Sequence, residues 1–198
     1  DAPDRPALIV SSTSWTADED FALLLDAVSR CNERIRAHDE RSSNGAFPHL
    51  LFVITGRGPL RAEYEARMRR LAFEKIHLHT TWLSAEEYPV LLAAADLGLS
   101  LHRSSSGVDL PMKIADMLGA GLPVCALDYG ACLSEVLHQG DNGLRFSTAD
   151  ALANQIYDLF NAFPAEALLL AQLRRNVRAA PRVRWSEEWL THAKPLMD

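Results

Sequence analysis

Short, continuous apolar runs recur along the chain and predict strands over 7–11, 50–55, 76–80, 97–101, 124–127 and 143–146. Their apolar positions do not alternate with polar ones, which is the pattern of strands buried on both faces. Between them the apolar positions follow a helical spacing. Phe21, Leu24, Leu25, Val28 and Ile35 form one stripe and predict a helix over 18–37. Residues 38–46 are polar and read as a connecting loop. Further helices are predicted from the turn at 56–59 to about 73, over 84–94, from Asp109 onward, over 134–138, 150–163 and 165–179, and from Trp185 to the end. Strand–helix alternation of this kind gives an α/β fold: a Rossmann-like parallel sheet flanked by helices on both faces. Residues 1–198 read as one such domain, with a helical extension from about residue 150.

In an open parallel sheet, ligands sit outside the carboxyl ends of the strands. The richest loop there is Ser104-Ser105-Ser106-Gly107-Val108-Asp109-Leu110-Pro111-Met112-Lys113, after the fourth predicted strand. Free amides at a helix start attract anions, and Gly107 allows close backbone approach. The serines add hydroxyls. Asp109 is expected to cap the helix, with Pro111 in its first turn. Lys113 and Asp116 are three apart and share a helix face. The lysine suits a phosphate and the carboxylate a pair of ribose hydroxyls, although the same spacing also describes an exposed ion pair. Gly121-Leu122-Pro123 then turns the chain into the fifth strand.

Three other loops lie at the same end: 12–16, 56–59 and 81–83. Gly56-Arg57-Gly58-Pro59 is either a tight strand–helix turn or a phosphate contact through Arg57. It follows the second strand and lacks a third glycine, which argues against a dinucleotide-dependent oxidoreductase. His102 stands just before the serine loop. Glu135 is placed where a loop meets a helix, to complement its dipole or to bind a sugar hydroxyl. His77 and His79 have no third ligand at a useful spacing, so no metal site is expected.

The 198 residues carry a formal charge of −6, which disfavours bulk electrostatic binding to nucleic acid. No apolar run approaches the ~20 residues that span a bilayer. Cys31, Cys125 and Cys132 are odd in number and read as buried free thiols. The first residue is Asp1, so the chain is expected to be a processed or excised piece, with any anchor upstream. Arg174, Arg175, Arg178, Arg182 and Arg184 read as a solvated basic face, one suited to anionic headgroups if the protein works at a membrane.

The run from Pro111 to Met117, followed by Gly121-Leu122-Pro123-Val124, resembles the nucleotide-sugar signature in the C-terminal domain of GT-B glycosyltransferases. Ser11-Ser12-Thr13-Ser14-Trp15-Thr16, Ile54-Thr55-Gly56-Arg57-Gly58-Pro59-Leu60, the block 102–113 and Arg184-Trp185-Ser186-Glu187-Glu188-Trp189 narrow it further. Together they are similar to the β-mannosyltransferases that add the first mannose to dolichol-linked N-glycan precursors. That resemblance implies GDP-mannose as donor and an inverting transfer to GlcNAc2-diphosphodolichol at the cytosolic face of the endoplasmic reticulum. It implies no required cofactor or metal. Lys113 and the loop amides would hold the diphosphate and Asp116 the ribose. Trp82 and Leu83 would line the base pocket. Ser104, Ser105, Ser106, Gly107, Asp109 and Glu135 would lie near the sugar, and His102 and Leu110 count among the donor-binding residues. Many relatives carry Arg and Lys after the first strand; here Ser12, Thr13 and Ser14 stand there, so these hydroxyls or Arg57 take that phosphate role. Val108 replaces the glutamate of retaining relatives. The acceptor site, catalytic base and membrane anchor would belong to a missing N-terminal domain. Other dolichol-pathway glycosyltransferases are candidate partners, and the alternative reading is a non-catalytic relative that serves only to bind them.

Overall fold

The computed structural model describes residues 5–41, 46–104, 106–180 and 185–197. Six strands, β1 (Ala7–Ser12), β2 (Leu50–Thr55), β3 (Ile76–Thr81), β4 (Leu97–Ser100), β5 (Val124–Leu127) and β6 (Gly143–Phe146), form one parallel sheet in the order β3-β2-β1-β4-β5-β6. Helices α1 (Phe21–Arg41), α2 (Arg61–Met68), α3 (Glu87–Ala94), α4 (Met112–Gly119), α5 (Ala149–Phe160) and α6 (Leu168–Ala179) cover it. The chain closes with the short α7 (Trp185–Glu188), a π turn over Trp189–Ala193 and a 3-10 turn over Lys194–Leu196.

Two apolar cores explain why both faces of the sheet are covered. On one face Ile9, Phe52, Ile54, Leu97 and Leu99 pack with Leu24, Val28 and Ile35 of α1 and with Leu152, Ile156 and Leu159 of α5. On the other, Val10, Val124 and Ala126 pack with Leu92 of α3 and with Ile114 and Met117 of α4. Burying one Leu, Ile or Phe side chain is worth about 2 kcal/mol, so the strands must remain central. The connections change faces between β1 and β4, and that change opens the crevice where such sheets bind ligands.

The boundaries depart from expectation where polar side chains find tertiary partners. Helix α1 begins at Phe21 rather than residue 18, because Asp18–Asp20 run alongside the exit of β4. There the Arg103 amide donates to the Asp18 carbonyl at 2.7 Å, and Asp20 caps α1 by accepting from Leu23 N at 3.0 Å. The same helix continues past 37 to Arg41, since His38 meets the Tyr157 hydroxyl of α5 at 2.8 Å. Asp39, in that last turn, pairs with Lys75 at 2.5 Å. Helix α2 stops at Met68, five residues short of the expected end. Ser84 and Glu87 form a reciprocal capping box before α3, at 3.2 and 2.8 Å. The short helix expected over 134–138 is instead a 3-10 helix over Ala131–Glu135. Helices α5 and α6 are shorter than expected, and the predicted terminal helix reduces to the short turns after Trp185.

Candidate functional site: the crevice between the first and fourth strands

The carboxyl ends of β1 and β4 meet at one buried carboxylate. Glu19, 3% exposed, lies in the loop between β1 and α1 and pairs in a backbone bridge with His102, just beyond β4. Its Oε2 accepts from the Thr13 hydroxyl, from Ser14 N at 2.9 Å and from Trp15 N at 3.2 Å. Its Oε1 accepts from the Lys113 ammonium on the first turn of α4. Lys113 therefore pairs across 94 residues of sequence, and not with Asp116 as the helix spacing alone allowed. The side chain of Lys113 keeps 17% exposure, and Glu19 takes one of the three donors of its ammonium.

The serine loop is organised on a second carboxylate. Asp109 accepts from the Ser104 hydroxyl, from Ser106 Oγ at 3.1 Å and pairs with His102 Nε2 at 2.8 Å. The expected helix cap is thus corrected: Pro111 occupies the cap position, no side chain caps α4, and Asp109 turns back into its own loop. Ser104 and Ser106 direct their protons to Asp109 rather than outward. The Ser104 hydroxyl, and His102 after it, hold the Asp109 carboxyl low, at about 2. Burial pushes the phenol of Tyr129 up, and its hydroxyl donates to the Asp109 carbonyl at 2.9 Å. The thiol of Cys132, only half-buried, reaches the Gly107 carbonyl at 3.2 Å. Ser105 lies outside the described residues.

The turn at 56–58 has a steric explanation. A Cβ on Gly56 would sit 1.7 Å from the Thr13 carbonyl oxygen, and one on Gly58 1.7 Å from that of Ser14. The two glycines let the turn lie directly against the β1 loop, which favours the tight-turn reading. Arg57 stacks over Trp82 at 4.2 Å instead of reaching into the crevice. Trp82 is exposed and Leu83 half-buried beyond β3. The exposed apolar side chains of Val108, Leu110 and Met112 stand on the serine-loop side.

Ser12 accepts from the Tyr88 hydroxyl at 3.1 Å. Burial raises the Tyr88 phenol, and the charge of Asp116 adds to the rise. Two expectations fail. Glu135 ends its 3-10 helix instead of opening one, and among the described residues no hydrogen bond or ion pair ties it to the crevice. Arg174 is not simply solvated; it pairs with Asp96 at 2.8 Å. Arg182 and Arg184 lie outside the described residues. Glu19, Tyr88 and Cys132 are the residues sequence reasoning missed. For Glu19, the only available signal was a carboxylate in a loop where phosphate-binding cations were expected. Among the described residues no cluster of metal-ligating side chains occurs, and no helix is long and apolar enough to cross a membrane.

Comparison with known proteins follows the same lines. Residues 6–162 match the model of the glycosyl transferases group 1 family. The chain is 45% identical, over 98% of its length, to UDP-glycosyltransferase TURAN of Arabidopsis thaliana, covering 43% of that protein. It is 46% identical, again over 98%, to the Homo sapiens chitobiosyldiphosphodolichol beta-mannosyltransferase, covering 40% of it. The chain thus spans about two fifths of the length of the curated relatives it matches. The structure of Anabaena Alr3699/HepE in complex with UDP and glucose superposes with a TM-score of 0.67 at 20% identity. That match covers 88% of this chain and 43% of HepE. The fold shared with such neighbours is that of GT-B glycosyltransferases.

Proposed function

Given that this chain belongs to the group 1 glycosyl transferases, we propose that it is the donor-binding half of an inverting β-1,4-mannosyltransferase. In this reading it takes GDP-mannose and the whole protein adds the first mannose to GlcNAc2-diphosphodolichol. The observation that carries the reading is the Lys113 ammonium, held at the start of α4 on Glu19 between the ends of β1 and β4, with two of its three donors not used by that pair. A glycosyl transfer of this kind releases a nucleoside diphosphate, whose charge must be met as it develops. Lys113 supplies a cation, and the first-turn amides of α4 add the positive end of the helix dipole. No metal ion is required for that balance. Asp116, on the same helix as Lys113, takes the ribose hydroxyls, and Trp82 borders the base pocket. The His102–Asp109 pair orders the loop that faces the mannose.

An inverting transfer also needs a base to deprotonate the acceptor hydroxyl. We assign the base, the acceptor contacts and the hold on the endoplasmic reticulum membrane to the part of the protein beyond this chain. The isolated chain then binds donor without turnover. Calorimetric titration with GDP and UDP tests the donor. The account predicts that GDP binds at least about tenfold more tightly, a difference of ~1.4 kcal/mol. Equal affinities, no binding, or the UDP preference suggested by the name of the Arabidopsis relative would overturn it.

A further inference from the structure

Among the described residues only Glu19 and Asp96 are buried carboxylates, and Glu19 alone sits at the ligand end of the sheet. We propose that Glu19 is the positioning residue of the crevice, fixing the Lys113 ammonium and the Thr13–Trp15 loop so that a diphosphate meets a cradle already formed. The proposal rests on the donor reading above. Three features carry it. The carboxylate is anchored on its Oε2 side by the Thr13 hydroxyl and the Ser14 and Trp15 amides, which leaves Oε1 for Lys113. Trp15 stands at φ 51°, a left-handed conformation unusual for a bulky residue, with its amide shared between the Thr13 hydroxyl at 2.8 Å and Glu19 at 3.2 Å and its ring stacked on Phe21 at 4.4 Å. The backbone bridge from Glu19 to His102 ties the same residue to the root of the serine loop. One residue therefore links three elements, its side chain joining the β1 loop to the first turn of α4 and its backbone reaching the root of the serine loop.

A lysine is a point charge on a flexible stem, and ordering it on binding costs affinity. Pairing with a buried carboxylate removes that freedom in advance. The carboxylate also cancels part of the lysine charge, so its two effects oppose each other. Full burial behind Lys113, rather than beside the crevice mouth, makes restraint the dominant one.

Glu19→Gln tests this, because its amide oxygen still accepts from the loop while the charge facing Lys113 is lost. GDP affinity falls about tenfold, the equivalent of one hydrogen bond to a charged group, and guanosine affinity is unchanged. In a Lys113→Ala background the same substitution has no further effect on GDP. Without nucleotide, acetic anhydride labels Lys113 faster in Glu19→Gln than in the unsubstituted chain, read by mass spectrometry. Glu19→Asp, which keeps the charge, recovers part of the GDP affinity. An unchanged or increased GDP affinity, an equal loss for guanosine, an undiminished loss in the Lys113→Ala background or unchanged labelling overturns the proposal. A labelling difference without binding of GDP or UDP instead brings down the donor reading and leaves the Glu19 restraint on Lys113 standing.

Discussion

The two buried carboxylates sit near opposite ends of the same strand and do different work. Asp96, immediately before β4, accepts from both terminal nitrogens of the Arg5 guanidinium at 2.7 and 2.8 Å, from Arg174 at 2.8 Å and from the Leu8 amide at 2.9 Å. Burial alone would raise its carboxyl, but the Arg5 hydrogen bonds and those that follow hold it below the usual range. Two planar, permanently charged forks close the cluster and staple the segment before β1, the start of β4 and helix α6. Glu19, linked to the residue just beyond β4, receives one ammonium, which is a point charge with donors left over. The amino end of the sheet is a closed structural lock, and the carboxyl end is a lock left open on one side. Cation chemistry separates a cluster that builds the fold from the one proposed to receive an anion.

Breaking the closed cluster gives the largest effect. Asp96→Ala removes the buried carboxylate that accepts from the half-buried Arg5 and Arg174 side chains and from the Leu8 amide, and lowers stability by about 2–4 kcal/mol. Chemical denaturation measures the loss, and GDP affinity of the folded fraction stays unchanged. A parallel loss of GDP affinity would erase the distinction between the two ends.

A smaller effect sharpens the open end. Asp109 is held below its ordinary 3.8, at about 2, first by Ser104 and then by His102. A carboxyl depressed in the folded state stabilises above its unfolded value and loses that contribution as pH falls through the folded one. The serine loop therefore stays ordered down to about pH 4 and loosens between about pH 4 and pH 2. Carbon NMR of the Asp109 carboxyl and amide exchange at Gly107 follow this; loosening already complete by pH 5 would contradict it.

The sheet was legible because its strands are uninterrupted apolar runs, and their observed bounds differ from the expected ones by no more than a residue at either end. The serine loop and Lys113 were legible because small residues, a helix start and a cation occur within ten positions. What Lys113 pairs with was not, since Glu19 lies 94 residues away and only the packing of β1 beside β4 joins them. Asp109 had a local rule in its favour as a helix cap, and the rule lost to three tertiary and loop partners. The same holds for Arg174, whose periodicity suggested solvent and whose partner Asp96 is distant in sequence. Helix ends were least legible wherever side chains such as His38 and Asp39 found partners on other elements.

The central claim is that the open end binds a diphosphate through Lys113, and titrating Lys113→Ala with GDP and guanosine tests it most directly. The account predicts a loss of about 1.5–3 kcal/mol for GDP, as for removal of a charge-assisted hydrogen bond, and no change for guanosine. Equal losses for the two ligands, or undiminished GDP binding, would contradict it.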